Sequence, residues 1–156
     1  MTSSPDGRRL WHLTAPAGGW PPPWPQVVEI VQAIPHTQWT LVGGLMVQLH
    51  AAHAGLRLTR PTRDVDMILH IDSGAATFAG VQHELERLGY VLREPVGDGP
   101  VHRFARGSSD TETIDVMVAD RLSPKQHPKA LRRKVFAVPG GTSALVAGDK
   151  VTVNLG

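Results

Sequence analysis

Two aspartates stand one residue apart at the head of an apolar run, Asp64-Val65-Asp66-Met67-Ile68-Leu69. In a β-strand the side chains alternate between faces, so Asp64 and Asp66 point the same way while the residue between them points toward a core. Aspartate is depleted in strands, and two ionised carboxylates roughly 7 Å apart on one face repel each other. The run therefore indicates a strand whose polar face meets positive charge. That charge comes either from surface arginines such as Arg60 and Arg63 or from a divalent cation held by oxygen ligands.

A glycine pair follows the preceding strand-like run. Trp39–Val42 is short, apolar and rich in β-branched and aromatic residues, Gly43 and Gly44 come next, and residues 45–54 form a helical pattern that Gly55 closes. A strand-to-helix turn of this kind brings bare backbone amides and a helix N-terminus close to a phosphate. A glycine pair is also used in a tight turn for steric reasons alone, and the sequence leaves both explanations open.

A third carboxylate is embedded in another apolar strand, Thr113-Ile114-Asp115-Val116-Met117-Val118. Neighbouring strands lie about 5 Å apart, which allows Asp115 to join Asp64 and Asp66 around one metal site. By itself, a carboxylate in this position is more often a strand-end residue that faces water. The glycine pair, the two spaced aspartates and this strand together form a three-part pattern.

These residues resemble the signature of the DNA polymerase β-like nucleotidyltransferase superfamily. Within it, Leu41-Val42-Gly43-Gly44-Leu45 and Arg60-Pro61-Thr62-Arg63-Asp64-Val65-Asp66 are most similar to the abortive-infection, AbiEii-like toxin branch, and the resemblance covers about residues 25 to 118. It implies an α+β fold with a nucleotidyltransferase-type mixed β-sheet and helices packed against it. It also implies a metal-dependent enzyme that moves a nucleoside monophosphate from a nucleoside triphosphate to a tRNA or protein hydroxyl. A toxin–antitoxin or phage-defence system, with a cognate antitoxin, is the implied setting.

The same resemblance implies roles for individual residues. Asp64, Asp66 and Asp115 are the expected catalytic carboxylates and the expected ligands of Mg²⁺ or Mn²⁺. Thr62 either offers a hydroxyl or shapes the turn after the proline. The residues expected to contact the nucleotide are Gly43, Gly44, Thr62, Arg63 and Arg60. Two other classes of protein remain open: a catalytically inactive module of this fold that binds nucleotide or a partner, and a neutralising partner whose acids are surface contacts.

Composition narrows the setting. The chain has 156 residues, 41% of them hydrophobic, no cysteine and a formal net charge of +2. These values suit one soluble domain in the cytoplasm, without disulfides or thiolate metal sites and without a membrane span. The proline-rich residues 1–23 are expected to form a flexible arm, stiffened by polyproline, in front of a nucleotidyltransferase-like domain, residues 24–156. Trp11, Trp20 and Trp24 can pack onto that domain. Arg132-Arg133-Lys134 can contact RNA phosphates, but the solvated end of a short helix is the preferred interpretation.

Apolar periodicity predicts the order of the elements. A third helix is expected to start at a cap formed by Asp72 or Ser73 and to stop at Gly89. The other helices are expected at residues 25–34, 45–54 and 128–134, and the strands at 39–42, 65–71, 90–92, 101–105, 113–118, 135–138 and 151–153.

Overall fold

The computed structural model describes residues 2–57 and 61–153 and has an α+β fold. Its α-helices within these residues are α1 (Trp24–Ala33), α2 (Gly43–His53), α3 (Phe78–Arg87) and α4 (Gly141–Ala147). The strands are β1 (Thr2–Ser3), β2 (Arg9–Leu13), β3 (Trp39–Val42), β4 (Asp64–Leu69), β5 (Val91–Leu92), β6 (Arg103–Arg106), β7 (Glu112–Ala119), β8 (Lys129–Ala130), β9 (Arg133–Lys134), β10 (Ala137–Val138) and β11 (Lys150–Val153). Over the described ranges, no helix has the length and apolar character needed to cross a membrane.

The main sheet is mixed, as the sequence pattern predicts. Its strands follow the order β3-β4-β7-β6-β5, and β10 pairs with the far end of β7. The two central strands, β4 and β7, run parallel, whereas β3 and β6 flank them in antiparallel directions. Parallel neighbours place residues of equal register side by side, so side chains of β4 and β7 that share a face lie next to each other.

One face of this sheet closes the hydrophobic core. Alternate residues of the central strands are fully buried there, and the apolar stripes of α1 and α3 belong to the same cluster. The residues that the strands contribute are Val65, Met67, Leu69, Phe104, Ile114, Val116 and Val118. The alternation that buries these side chains turns Asp64, Asp66 and Asp115 to the opposite face.

Two buried polar contacts lock α1 in place. Its first residue, Trp24, donates from the indole Nε1 to Oε1 of Gln48 on α2 at 2.7 Å. Gln26 donates from Nε2 to the hydroxyl of Tyr90 at 2.9 Å, just before β5. Each contact satisfies a side chain that would otherwise be costly to bury. These two bonds hold α1 against both α2 and the sheet.

The N-terminal segment differs from the expected flexible arm. Strand β2 pairs in parallel with β11, with Trp11 beside Val151, and the two form a small second sheet with β1. The Trp11 side chain is buried and stacks on His53 of α2, with the ring centroids 4.2 Å apart. The flexible arm is therefore wrong for this strand, because pairing with a segment 140 positions away orders it. The division of the chain at residue 23 stays a prediction.

Two local predictions are also corrected. Helix α3 begins at a cap formed by Thr77, whose hydroxyl accepts from the Gly80 amide at 3.1 Å, rather than by Asp72 or Ser73. The helix expected at residues 128–134 is instead the hairpin of β8 and β9. The helix propensity of these residues is overridden there by pairing with a distant segment, since the Val101 amide donates to the Lys134 carbonyl at 3.0 Å.

Candidate functional site

The three predicted carboxylates come together on the polar face of the central strands. Asp66 on β4 is the register partner of Asp115 on β7, and Asp64 is the partner of Thr113. The Thr113 hydroxyl donates a short hydrogen bond to Oδ1 of Asp64. Asp115 is buried, whereas Asp64 is partly open to solvent. The parallel register of β4 and β7 is thus what brings the two sequence motifs into one site.

An arginine that the sequence analysis did not single out completes this face. Arg103 on β6 is the antiparallel partner of Asp115. Its Nε and Nη2 atoms donate to the two oxygens of Asp115, each at 3.0 Å, and Nη2 also donates to Oδ2 of Asp64 at 3.3 Å. The forked geometry is the strong, bidentate type of ion pair. The guanidinium therefore stands between two of the three carboxylates.

Asp66 is the carboxylate that Arg103 neutralises least. Burial is the largest cause that raises the pKa of Asp66 from its ordinary value of 3.8 to about 6, followed by the negative charges of Asp115 and Asp64. The positive charge of Arg103 opposes this rise but is the smallest of the main causes. At neutral pH the site thus holds more negative charge than its own arginine compensates, which is the condition that favours a bound cation.

This electrostatic arrangement predicts a pH dependence of stability. The folded-state pKa of Asp66 lies above the ordinary value, so the folded state binds this proton more tightly than the unfolded state does. The resulting gain in stability is fully present below about pH 4 and is lost as the pH rises through 6. We expect the free energy of unfolding to fall by about 1 kcal/mol between pH 5 and pH 7 from this group, a figure reduced for the screening of a half-exposed carboxyl. Urea unfolding in a chelating buffer measures it. Asp66→Asn is the control, and an identical pH slope in that variant would contradict the assignment.

The glycine pair packs directly against this site. Gly43 begins α2 with a φ of +71°, and a Cβ placed on it would collide with the Asp66 carboxylate, whose Cγ would lie 3.0 Å away. A Cβ on Gly44 would lie 2.9 Å from both Cβ and Oγ1 of Thr62. Both glycines thus have a steric role inside the protein. The positive end of the α2 dipole lies beside Asp66, and the contact of these glycines with a phosphate stays a prediction.

A matched pair of glycines separates the two costs at position 43. Gly55 has nearly the same φ, +73°, but has open space where a Cβ would lie. We expect Gly55→Ala to cost about 1 kcal/mol for left-handed backbone, and Gly43→Ala to cost roughly 1–3 kcal/mol more because of the collision with Asp66. Equal losses in denaturant midpoints would show that Gly43 and Asp66 are not in close contact.

The remaining predicted site residues are placed unevenly. Thr62 is half-buried against Gly44, which agrees with a role in shaping the turn. Arg63 is exposed, and within residues 2–57 and 61–153 it makes no ion pair. Arg60 lies outside the described residues. Arg63, which precedes Asp64 in the sequence, is therefore available to a ligand. The arginine that pairs with the site carboxylates is Arg103.

A second residue beside Asp115 was also not singled out from the sequence. His102 precedes Arg103 at the start of β6, and its Nε2 lies 3.8 Å from Oδ1 of Asp115. Its Nδ1 is buried and has no hydrogen-bond partner in the described part of the chain. The available signal was a short strand-like run that carries three basic side chains, His102, Arg103 and Arg106. Only the register with β7 turns that signal into a place in the site.

The carboxylate oxygens of Asp64, Asp66 and Asp115 are of the type that binds a hard divalent cation, but binding requires Arg103 to move away from them. Carboxylate oxygens are the ligands that Mg²⁺ and Mn²⁺ prefer. As the side chains stand, no group of three His, Asp or Glu residues in the described ranges is arranged to hold a metal. In this arrangement the guanidinium of Arg103 donates to both Asp64 and Asp115, so their oxygens already have a partner. Its side chain is 44% exposed, so it has room to leave the carboxylates.

Comparisons with known proteins add no relative. The chain matches none of the protein-family models, none of the curated proteins and none of the solved structures with which it was compared. The resemblance to nucleotidyltransferases therefore stays a prediction from the sequence motifs.

Proposed function

We propose that this protein is a Mg²⁺- or Mn²⁺-dependent nucleotidyltransferase that moves a nucleoside monophosphate from a nucleoside triphosphate to an acceptor hydroxyl. The observation that carries the proposal is the convergence of Asp64, Asp66 and Asp115 on one sheet face, beside the glycine turn that begins α2. Paired carboxylates next to a helix N-terminus suit a substrate that is a phosphate chain accompanied by a cation.

Each part of the site has a distinct task in this reaction. When bound, the metal neutralises phosphate charge and makes the attacking hydroxyl more acidic. Asp64 and Asp66 would hold it together with Asp115, which also accepts the proton of the acceptor hydroxyl. The hydroxyl oxygen bonds to the α-phosphorus while the bond from that phosphorus to the bridging oxygen breaks, and pyrophosphate leaves with the electron pair. The amides at the start of α2 position the phosphates.

The AbiEii-like resemblance extends the proposal to a biological setting. A toxin or phage-defence role in the cytoplasm, with a tRNA or protein acceptor and a cognate antitoxin, follows from that branch. The experiment incubates the protein with each of four α-labelled nucleoside triphosphates, Mn²⁺ or Mg²⁺, and total cellular RNA or protein. Transfer of label with release of pyrophosphate is the expected result, and Asp115→Asn is the inactive control.

One observation favours a second candidate function. The bidentate pair of Arg103 and Asp115 neutralises the carboxylate that should accept the proton. A nucleotidyltransferase-fold module that binds nucleotide without turnover would keep such a pair permanently. Triphosphate binding without pyrophosphate release from any of the four nucleotides would establish this second function and reject the first.

A further inference from the structure

The segment after β7 concentrates positive charge. Residues 121–134, here called the basic segment, contain six lysines and arginines and no aspartate or glutamate. The exposed cations in it are Arg121, Lys125, Lys129, Arg132 and Lys134. Because the whole chain has a net charge of only +2, a segment with six cations and no acidic residue is far more basic than the composition suggests.

These exposed cations differ from the other basic residues in lacking partners. Ion pairs with carboxylates are made by Arg8, Arg9, Arg87, Arg93, Arg103, Arg106, Arg133 and Lys150. Within the described residues, none of the five exposed cations of the basic segment forms an ion pair. Outside the basic segment, Arg57 and Arg63 also form none in the described part of the chain. Positive charge that the fold itself uses is thus separated from positive charge that it leaves to solvent.

The hairpin inside the basic segment keeps this charge at an energetic cost. Lys129 and Lys134 are direct cross-strand partners, an arrangement of like charges that destabilises a hairpin. The turn between the strands consists of Leu131 and Arg132, with φ of +51° and +62°, where asparagine and glycine are favoured. A strained, self-repelling hairpin at the surface indicates selection for something other than stability.

Arg133 fixes the hairpin next to a surface cleft. Its guanidinium donates to the carbonyl groups of Pro95, Gly97 and Gly99 and pairs with Glu94 at 3.2 Å. The cleft has a volume of about 520 Å³ and is lined by Asp98, Gly99, Pro100, Arg132, Arg133 and Lys134. Arg133 thus holds the loop in position while its two basic neighbours face the open cleft.

The basic segment adjoins the carboxylate site. Phe136, two residues past the hairpin, donates its amide to the Val101 carbonyl at 2.9 Å and packs near the ring of His102, with centroids 5.8 Å apart. Val101 is two positions from Arg103, a strand distance of roughly 7 Å. The hairpin is thus tied by backbone hydrogen bonds to the residues that come just before Arg103.

We propose that the basic segment binds the phosphate backbone of a nucleic acid; its identification as the acceptor rests on the proposed function. Lysine is depleted at protein–protein interfaces and Phe, Tyr and Trp are enriched there, whereas the basic segment has three lysines and none of these three aromatic residues. Without Phe, Tyr or Trp, the segment lacks the large aromatic side chains on which bases most often stack. Recognition is therefore electrostatic and follows the backbone.

The test compares two double variants of equal charge. Arg132→Gln with Lys134→Gln removes two unpartnered cations of the basic segment. Arg87→Gln with Arg93→Gln removes two exposed arginines whose carboxylate partners lie elsewhere. Fluorescence anisotropy measures binding of labelled RNA and DNA hairpins of the same sequence across 50–300 mM salt. We expect the first variant to lose at least about tenfold in affinity at 0.1 M salt and about 2 in the salt slope, and the second to stay near wild type.

Other outcomes overturn the inference. Equal losses of affinity in the two variants would mean that only the net charge of the protein matters. If the wild-type protein bound neither hairpin at 50 mM salt, the basic segment would not be a nucleic-acid-binding surface. Tighter binding of polyglutamate than of either hairpin would assign the surface to an acidic protein. A preference between RNA and DNA identifies the natural source of the backbone within the proposal. Since the assay needs no turnover, loss of transferase activity with intact binding rejects only the proposed function.

Discussion

Asp66→Asn is expected to abolish nucleotidyl transfer while leaving the fold intact and slightly more stable without metal. The substitution removes the half-buried carboxylate whose pKa is raised to about 6 by burial and by its two acidic neighbours. Loss of one metal-holding carboxylate removes several kcal/mol of transition-state stabilisation, which corresponds to at least about a hundredfold in rate. The measurement is label transfer at pH 7.5 together with thermal unfolding in a chelating buffer.

Asp72→Asn is a suitable control for this variant. Asp72 is an exposed aspartate in the turn after β4, away from the carboxylate site. The same change of charge there should leave transfer near wild type. Wild-type turnover in Asp66→Asn, under conditions where Asp72→Asn is also active, would remove Asp66 from the reaction. A destabilised Asp66→Asn protein would show instead that this carboxylate supports the fold.

Local sequence signals were enough to predict the centre of the sheet. Apolar runs of four to eight residues predicted strands at β3, β4 and β7 within two residues of their ends, because short apolar runs bounded by turn residues are typical of buried strands. The glycine pair marked the start of α2 for the same kind of local reason, since Gly43 adopts a positive φ. The strand period predicts the shared face of Asp64 and Asp66, whereas the place of Asp115 beside them was expected only from the three-part pattern, because nothing local makes β7 the neighbour of β4.

Features that depend on distant pairing could not be predicted. The packing of Trp11 onto the domain was foreseeable, but strand β2 is ordered by its pairing with β11, which no local signal indicates. The hairpin at residues 129–134 has good helix formers, and only its contact with Val101 makes it extended. Arg103 belongs to the site through the antiparallel register of β6 and β7, which no short motif encodes. Long-range register was the missing information in all three cases.

Arg103→Gln is expected to bind Mn²⁺ in the absence of nucleotide about tenfold more tightly than the wild-type protein. In the structure the guanidinium makes three hydrogen bonds to Asp64 and Asp115, and a divalent cation at the same oxygens has to displace it. Two cations competing for one pair of carboxylates weaken each other's binding by the same free energy. The tenfold figure corresponds to about 1.4 kcal/mol, which suits an ion pair whose arginine is nearly half exposed.

The matched control is Arg93→Gln. Arg93 has similar exposure and also forms a bidentate pair, with Asp110, so its removal changes the net charge equally but leaves the three site carboxylates untouched. Calorimetric titration of Mn²⁺ into the three proteins should give equal affinities for wild type and Arg93→Gln. Weaker binding to Arg103→Gln would mean that Arg103 organises the carboxylates rather than competing for them.

Arg103 also predicts cooperation between the metal and the triphosphate. When the metal displaces Arg103 from Asp64 and Asp115, the negative phosphate oxygens of a bound triphosphate can replace the carboxylates as partners of the arginine. A non-hydrolysable triphosphate should therefore tighten Mn²⁺ binding to the wild-type protein. In Arg103→Gln this coupling should shrink, because the side chain that exchanges partners is gone. Equal coupling in the wild type and the variant would mean that the ion pair of Arg103 with Asp64 and Asp115 is structural and takes no part in ligand binding. The negative charge of Asp66, which Arg103 does not neutralise, would then remain as the electrostatic feature that favours a metal.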